Sequence, residues 1–319
     1  MRLAAITLCL LLLVLLSLMI GAAGPGGGLD SGVVMSVSRI PRTLAALLAG
    51  AGLALSGAVV QLAVQNRLVE PGLTGTPEAA MIGLLLITLL APASPLMVKM
   101  AVASLAALIG TLGFLLLAQH VPRQDPMLLP LVGMIYGGVL GTGGILGSGA
   151  TWIAWNADLV QYLGSWQTGE FSGVLRGRYE LLWLIAALGG LLYLAADRIT
   201  LLGMGEDHAR SLGLNARQTL LLGLGIVSAT IAAVVVTVGA MPFVGLIVPN
   251  LVSRWRGDNL RANLPLIALL GAALMLAADI LGRVIRWPYE IPASTIFAVA
   301  GAGLFLWLIH AAPRQAGRT

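Results

Sequence analysis

The stretch Arg198-Ile-Thr-Leu-Leu-Gly-Met-Gly-Glu-Asp-His-Ala-Arg-Ser-Leu-Gly-Leu-Asn-Ala-Arg-Gln218 interrupts an otherwise apolar chain, with runs at 181–196 before it and 219–238 after it. Glu206, Asp207, His208 and Arg210 fall within five residues and are followed by Ser211-Leu212-Gly213. That order predicts a short amphipathic helix with a glycine stop. A polar helix held between two membrane spans can pass force from a cytosolic protein to the helices beside it. The same pattern also suits a plain solvated connection, the commoner fate of a charged loop between spans. The local sequence leaves both readings open.

Outward from this island the composition sets the class. The chain has 319 residues, 58% of them hydrophobic and only 10% charged, against roughly 25% charged in a typical soluble domain. No composition shift or linker divides it, so residues 1–319 read as a single transmembrane domain with the polar island, about 199–217, inside it. The net charge of +5 comes from basic residues scattered singly between apolar runs. That distribution fits membrane topology rather than a phosphate-binding face. Cys9 is the only cysteine, and His120, His208 and His310 stand in separate segments, so neither a disulfide framework nor a cysteine–histidine metal site is expected.

Apolar runs occupy about 3–23, 43–64, 79–90, 97–118, 127–149, 181–196, 219–238, 243–252, 264–281 and 293–311. The first is longer than the roughly 7–15-residue core of a signal peptide, which favours a retained span. A Gly-rich loop is expected over 24–38. The breaker-rich 65–78 is either a turn at the far face or an irregular segment within the bundle. Residues 150–180, with Trp152, Trp155, Tyr162, Trp166 and Arg176, are expected to form a long interfacial loop, with room for a short helix lying along it. The run at 243–252 is too short to cross alone and is bracketed by Pro242 and Pro249, so a broken or tilted helix buried among neighbours is expected. The result is an all-α polytopic protein with about ten transmembrane helices and both termini in the cytoplasm. On that topology eleven of the 18 basic residues lie inside and seven, among them Arg39, Arg42 and Arg283, lie outside. The bias has the expected sign but is modest, so the outer arginines need a separate reason.

Catalysis finds little support. There is no P-loop, Lys99 is the sole lysine, and the glycine-rich Gly141-Thr142-Gly143-Gly144-Ile145-Leu146-Gly147-Ser148-Gly149 reads as a packing surface. Asp279, the one acid deep in an apolar run, stands four residues before Arg283, the spacing that stacks two side chains on one helix face. Such an acid needs a partner, which Arg283 can supply. The pair reads as structural, with gating or the orientation of Arg283 as the functional alternative. Paired carboxylates are absent from the apolar runs, which disfavours a proton relay.

Several blocks resemble one known family. Ser38-Arg39-Ile40-Pro41-Arg42-Thr43-Leu44-Ala45-Ala46-Leu47-Leu48-Ala49-Gly50, Leu55-Ser56-Gly57-Ala58 and Glu70-Pro71-Gly72-Leu73-Thr74-Gly75 are similar to the opening half of the FecCD permeases of ABC importers. Phe243-Val244-Gly245-Leu246-Ile247-Val248-Pro249, Ala278-Asp279 and Glu290-Ile291-Pro292 resemble the closing half. The resemblance implies a type II ABC importer permease fold in the cell inner membrane. It also implies a second permease subunit, a non-identical one in the branch matched here. Two ATPase subunits and a periplasmic or lipid-anchored substrate-binding protein complete the implied assembly. This chain would bind no cofactor, with ATP and Mg used by the ATPase. Gly205, Glu206, Asp207, Ala209, Arg210, Ser211, Leu212 and Gly213 match the segment that docks on the ATPase. Arg39, Arg42 and Arg283 match outer-face arginines that pair with acidic residues of the binding protein. Asn250 stands where many members have histidine, a departure shared with a ferric catecholate siderophore branch. A ferric siderophore is therefore the expected cargo, with a cobalamin or haem permease, or an ion-gradient-driven secondary transporter, as the alternative.

Overall fold

The computed structural model describes residues 2–20, 31–73, 75–118, 120–121, 128–141, 144–176, 179–205, 209, 211–257, 259–286 and 289–311. Each of the ten apolar runs carries a helix. The first half holds α1 (Arg2–Met19), α2 (Ser31–Val34), α3 (Ile40–Val64), α4 (Thr76–Leu90), α5 (Leu96–Ala118), α6 (Leu128–Leu140) and α7 (Ile145–Asn156). The second half holds α8 (Val160–Gln167), α9 (Trp183–Gly203), α10 (Ala216–Thr237), α11 (Val244–Arg256), α12 (Leu260–Val284) and α13 (Ala293–Ala311). Among the described residues every regular element is helical, as hydrocarbon demands, because a helix satisfies its own backbone without water. Six helical stretches are long and apolar enough to cross a membrane, and Ile6–Met19, Thr76–Leu90 and Ala293–Leu304 are shorter apolar helices. Large apolar side chains point outward, with Ile109 70% exposed and Leu194 77% exposed. A water-soluble surface would not carry that much grease.

Helix α3 is the inner post of the bundle, and small residues let its neighbours touch its backbone. Ala45, Ala46, Ala49 and Ala54 are fully buried. A Cβ on Gly50 would fall on the Gly271 carbonyl of α12, and one on Gly57 would fall on the Gly245 backbone of α11. In lipid such close packing replaces the hydrophobic driving force between helices. Helix α10 is buried on all sides from Ile231 to Val236. On the other flank α4 meets α5, where a Cβ on Gly83 would sit 2.6 Å from the Ala106 side chain.

Of four expectations about connections, two change, one open choice is settled and one holds. The Gly-rich segment is helical from Ser31 onward, through α2 and a π-helical turn, Met35–Arg39, that runs straight into α3. Its residues 24–30 lie outside the described part. The 65–75 connection is an irregular segment inside the bundle rather than a turn at the far face, since Val69, Glu70 and Pro71 are buried. Residues 150–180 are not one continuous loop, since the end of α7 and all of α8 occupy 150–156 and 160–167, and α8 is the short helix for which the sequence left room. Trp152, Trp155 and Tyr162 face outward, whereas Trp166, Phe171 and Val174 are buried. The last three are drawn in because Glu170 N donates to Val238 O at 3.0 Å, Ala240 N to Trp166 O at 2.8 Å and Ser294 N to Gly169 O at 3.1 Å. Finally, α11 is the short buried helix that Pro242 and Pro249 suggested, entered through Phe243 at φ 68°.

Candidate functional site

At one end of the bundle the outer arginines form a closed charge cluster. Arg42, in the first turn of α3, donates from Nη2 to Asp279 Oδ1 at 2.7 Å and from Nε to the same carboxylate at 3.1 and 3.3 Å. Its Nη1 donates to both oxygens of Glu290 at 2.9 Å. Arg283, one turn beyond Asp279 on α12, donates from Nη2 to Asp279 Oδ2 at 2.6 Å. Side-chain exposure is 14% for Arg42, 2% for Asp279, 4% for Arg283 and 23% for Glu290. Two cations and two anions therefore cancel in a nearly dry site, the arrangement that makes buried charge tolerable. Glu290 is its most accessible member.

The same arginines close the end of α1. Arg283 Nη1 donates to Ser17 O at 3.0 Å and Ile20 O at 2.7 Å, and its Nη2 donates to Ser17 Oγ at 2.7 Å. Arg39 Nη1 donates to Leu18 O at 2.9 Å, while Ser17 Oγ and Thr43 Oγ1 share a hydrogen bond of 2.9 Å. The last carbonyls of a helix have no partner within it and carry its negative dipole end, so cations there are favourable. This supplies a structural reason for positive charge on that side.

The polar island occupies the opposite end. Ala209 N donates to Gly205 O at 3.0 Å and Leu214 N to Ala209 O at 3.0 Å, with Gly205 at φ 118° and Gly213 at φ 78°. The left-handed glycine after a helical turn is the stop that the sequence pattern anticipated. Asn215 Oδ1 then accepts from Gln218 N at 3.1 Å and starts α10. Ala209 is only 1% exposed and pins the turn inward, whereas Leu212 is 63% exposed and Ser211 and Gly213 lie open beside it. Glu206, Asp207 and Arg210 lie outside the described residues. Beside this turn a cavity of about 510 Å³ is lined by Gln61, Gln65, Gly203, Met204, Ser253 and Asn263.

Helix α3 reaches both sites. Arg42 and Leu62 are twenty residues apart on α3, which at 1.5 Å per residue is about 30 Å, the thickness of the hydrocarbon core. A Cβ on Gly203 would sit 2.7 Å from Leu62 Cδ2, tying the polar turn to the inner end of α3. The spacing of Asp279 and Arg283 revealed one limb of the outer cluster. It could not reveal Arg42, 237 residues away, or Glu290, in the connection after α12. Nor is Asp279 the one enclosed acid. Glu70 is buried and Glu78 half-buried, and each keeps an Oε2 with no hydrogen-bond partner among the described residues. Hydropathy missed them because the 65–78 stretch reads equally well as a surface turn. Among the described residues no three His, Cys, Asp or Glu side chains converge on one point.

An all-helical membrane bundle with a charged cluster at one end and a polar helical turn at the other is a transport subunit in form. Its relatives agree on the class. A family model described as the FecCD transport family matches residues 9–311. The petrobactin import system permease protein FatD of Bacillus anthracis is 38% identical over 299 residues, covering 94% of this chain and 88% of that protein. The ferric-anguibactin transport system permease protein of Vibrio anguillarum is 39% identical over 269 residues, covering 84% of each. An inward-facing structure of a metal-chelate type ABC transporter superposes with a TM-score of 0.80 and 27% identity, over 97% of this chain and 98% of that one. The chain belongs to the FecCD transport family.

Proposed function

We propose that this chain is a permease subunit of an ATP-driven importer that carries a ferric siderophore inward across the cell inner membrane. The cargo reading is carried by the relatives that match most of the chain, which are named for petrobactin and for ferric anguibactin. In this reading two permease subunits, the second a non-identical one, enclose the pathway. Two ATPase subunits act from the cytoplasm, and a periplasmic or lipid-anchored binding protein delivers the cargo. Both termini lie in the cytoplasm. ATP and Mg are used by the ATPase, and this chain binds no cofactor.

The turn at 205–215 is the ATPase contact, including Glu206, Asp207 and Arg210. It joins α9 directly to α10, so a displacement there moves both helices at once. Arg39, Arg42 and Arg283 belong to the face where the binding protein docks. Charge on that face steers and registers the encounter more than it adds affinity.

The test is reconstitution of the complete assembly in proteoliposomes, with uptake of radiolabelled ferric petrobactin followed against cobalamin. ATP-dependent accumulation of the ferric siderophore is expected. Uptake that persists without nucleotide, or that favours cobalamin, would overturn the reading.

A further inference from the structure

The outer cluster as it stands is electrically complete. Asp279 takes the Nε and Nη2 edge of Arg42 and the Nη2 of Arg283, and Glu290 takes the remaining Nη1 of Arg42 with both of its oxygens. An acidic side chain arriving from a docking protein would add a third anion to two cations. It can be accommodated at no net change of charge only if one resident carboxylate leaves.

The two residents differ in how easily they leave. Asp279 is enclosed on α12, and removing it would strip both guanidinium groups of their shared partner. Glu290 is partly open to solvent and sits outside any helix. Its neighbour Ile291 donates its backbone N–H to Gly282 O at 2.9 Å, and Tyr289 N donates to Arg286 O at 2.9 Å. Close by, Arg286 is exposed, and its guanidinium lies 5.9 Å from the centre of the exposed Tyr289 ring. That is the accessible cation on the same connection.

We infer that Glu290 is an internal stand-in for an acidic side chain of the docking protein, which is drawn in past the exposed Arg286 and then takes the place of Glu290 on Arg42 Nη1. The inference rests on the docking role given above to the outer arginines. Exchange of one carboxylate for another keeps the cluster neutral and leaves the Asp279 limb intact. It also frees the Glu290 side chain from α3, so docking removes one tie between that helix and the residues before α13. Glu290 therefore lowers the affinity of the resting transporter for its partner.

The experiment uses the assembled transporter in lipid nanodiscs and the purified substrate-binding protein of the same system. Glu290→Gln keeps the side-chain volume and removes the competing charge. Binding is expected to tighten by roughly 1.5- to 5-fold, the range of a partly exposed ion pair. In a Cys9→Ser background, Tyr289→Cys is expected to react faster with a thiol reagent once the binding protein is bound. Unchanged or weaker binding by Glu290→Gln, with Arg39→Glu still weakening the complex, overturns the exchange and leaves the docking face standing. If neither Glu290→Gln nor Arg39→Glu changes binding, the docking role of the outer arginines fails with it.

Discussion

Removing Asp279 should unbalance the cluster in a way that can be calculated and then partly reversed. Asp279→Ala leaves Arg42, 14% exposed, and Arg283, 4% exposed, without the carboxylate they share. The local charge moves from zero to +1. Breaking a buried pair by deleting one partner costs about 3–5 kcal/mol. At about 2 °C per kcal/mol, the lower end for large domains, the melting temperature in detergent should fall by about 6–10 °C. Asp279→Leu with Arg283→Met returns the count to zero, because Arg42 keeps Glu290 at 2.9 Å. Some cost remains, since the carbonyls of Ser17 and Ile20 lose their donor. The double variant should still recover at least half of the loss. A drop below about 1 °C for Asp279→Ala, or a double variant no more stable than the single, would refute the view that charge balance holds this end together.

Other outcomes follow from particular contacts. Gly57→Val places side-chain atoms on the Gly245 backbone and should cost about 1–3 kcal/mol, seen as reduced yield and a lower melting temperature. Gly213→Ala forces a Cβ onto φ 78° and should cost about 1–2 kcal/mol, while the open space around that glycine keeps the rest of the bundle intact. Leu212→Asp, at a position 63% exposed, should leave thermal stability within about 0.5 kcal/mol yet sharply reduce co-purification of the ATPase. Retained co-purification would remove Leu212 from that contact. Ser17→Ala deletes a hydroxyl that accepts from Arg283 and bonds Thr43, and a loss of about 1 kcal/mol in melting is expected.

Much of the architecture was legible before any coordinates. Ten apolar runs yield helices because lipid leaves the backbone no alternative, and the proline pair around 243–252 marked the short buried helix. The glycine stop at Gly213 followed from a local rule about left-handed backbone. Where breaker residues are dense, the sequence was ambiguous. Residues 65–75 contain the amides, glycines and proline of a surface turn, yet they fold inward around Val69 and Glu70. Residues 31–38, expected as part of a loop, are helical and extend α3 backward. Local propensity is weak there, and long-range contacts decide the outcome, as where Arg39 Nη1 donates to Leu18 O and Arg176 N to Val37 O.

The sequence by itself determined that this chain is a membrane bundle of the FecCD type, because span length, small-residue packing and motif order are local properties of the chain. It also placed Asp279 and Arg283 on one helix face, since their spacing is a matter of helical period. Only the tertiary structure decided that Arg42 completes their pair, that Glu290 closes it and that Arg39 and Arg283 hold the end of α1. Except for Arg39 to Leu18, 21 positions apart, those contacts join residues more than two hundred positions apart. No periodicity carries that information, and it exists only once α1, α3 and α12 have been brought side by side.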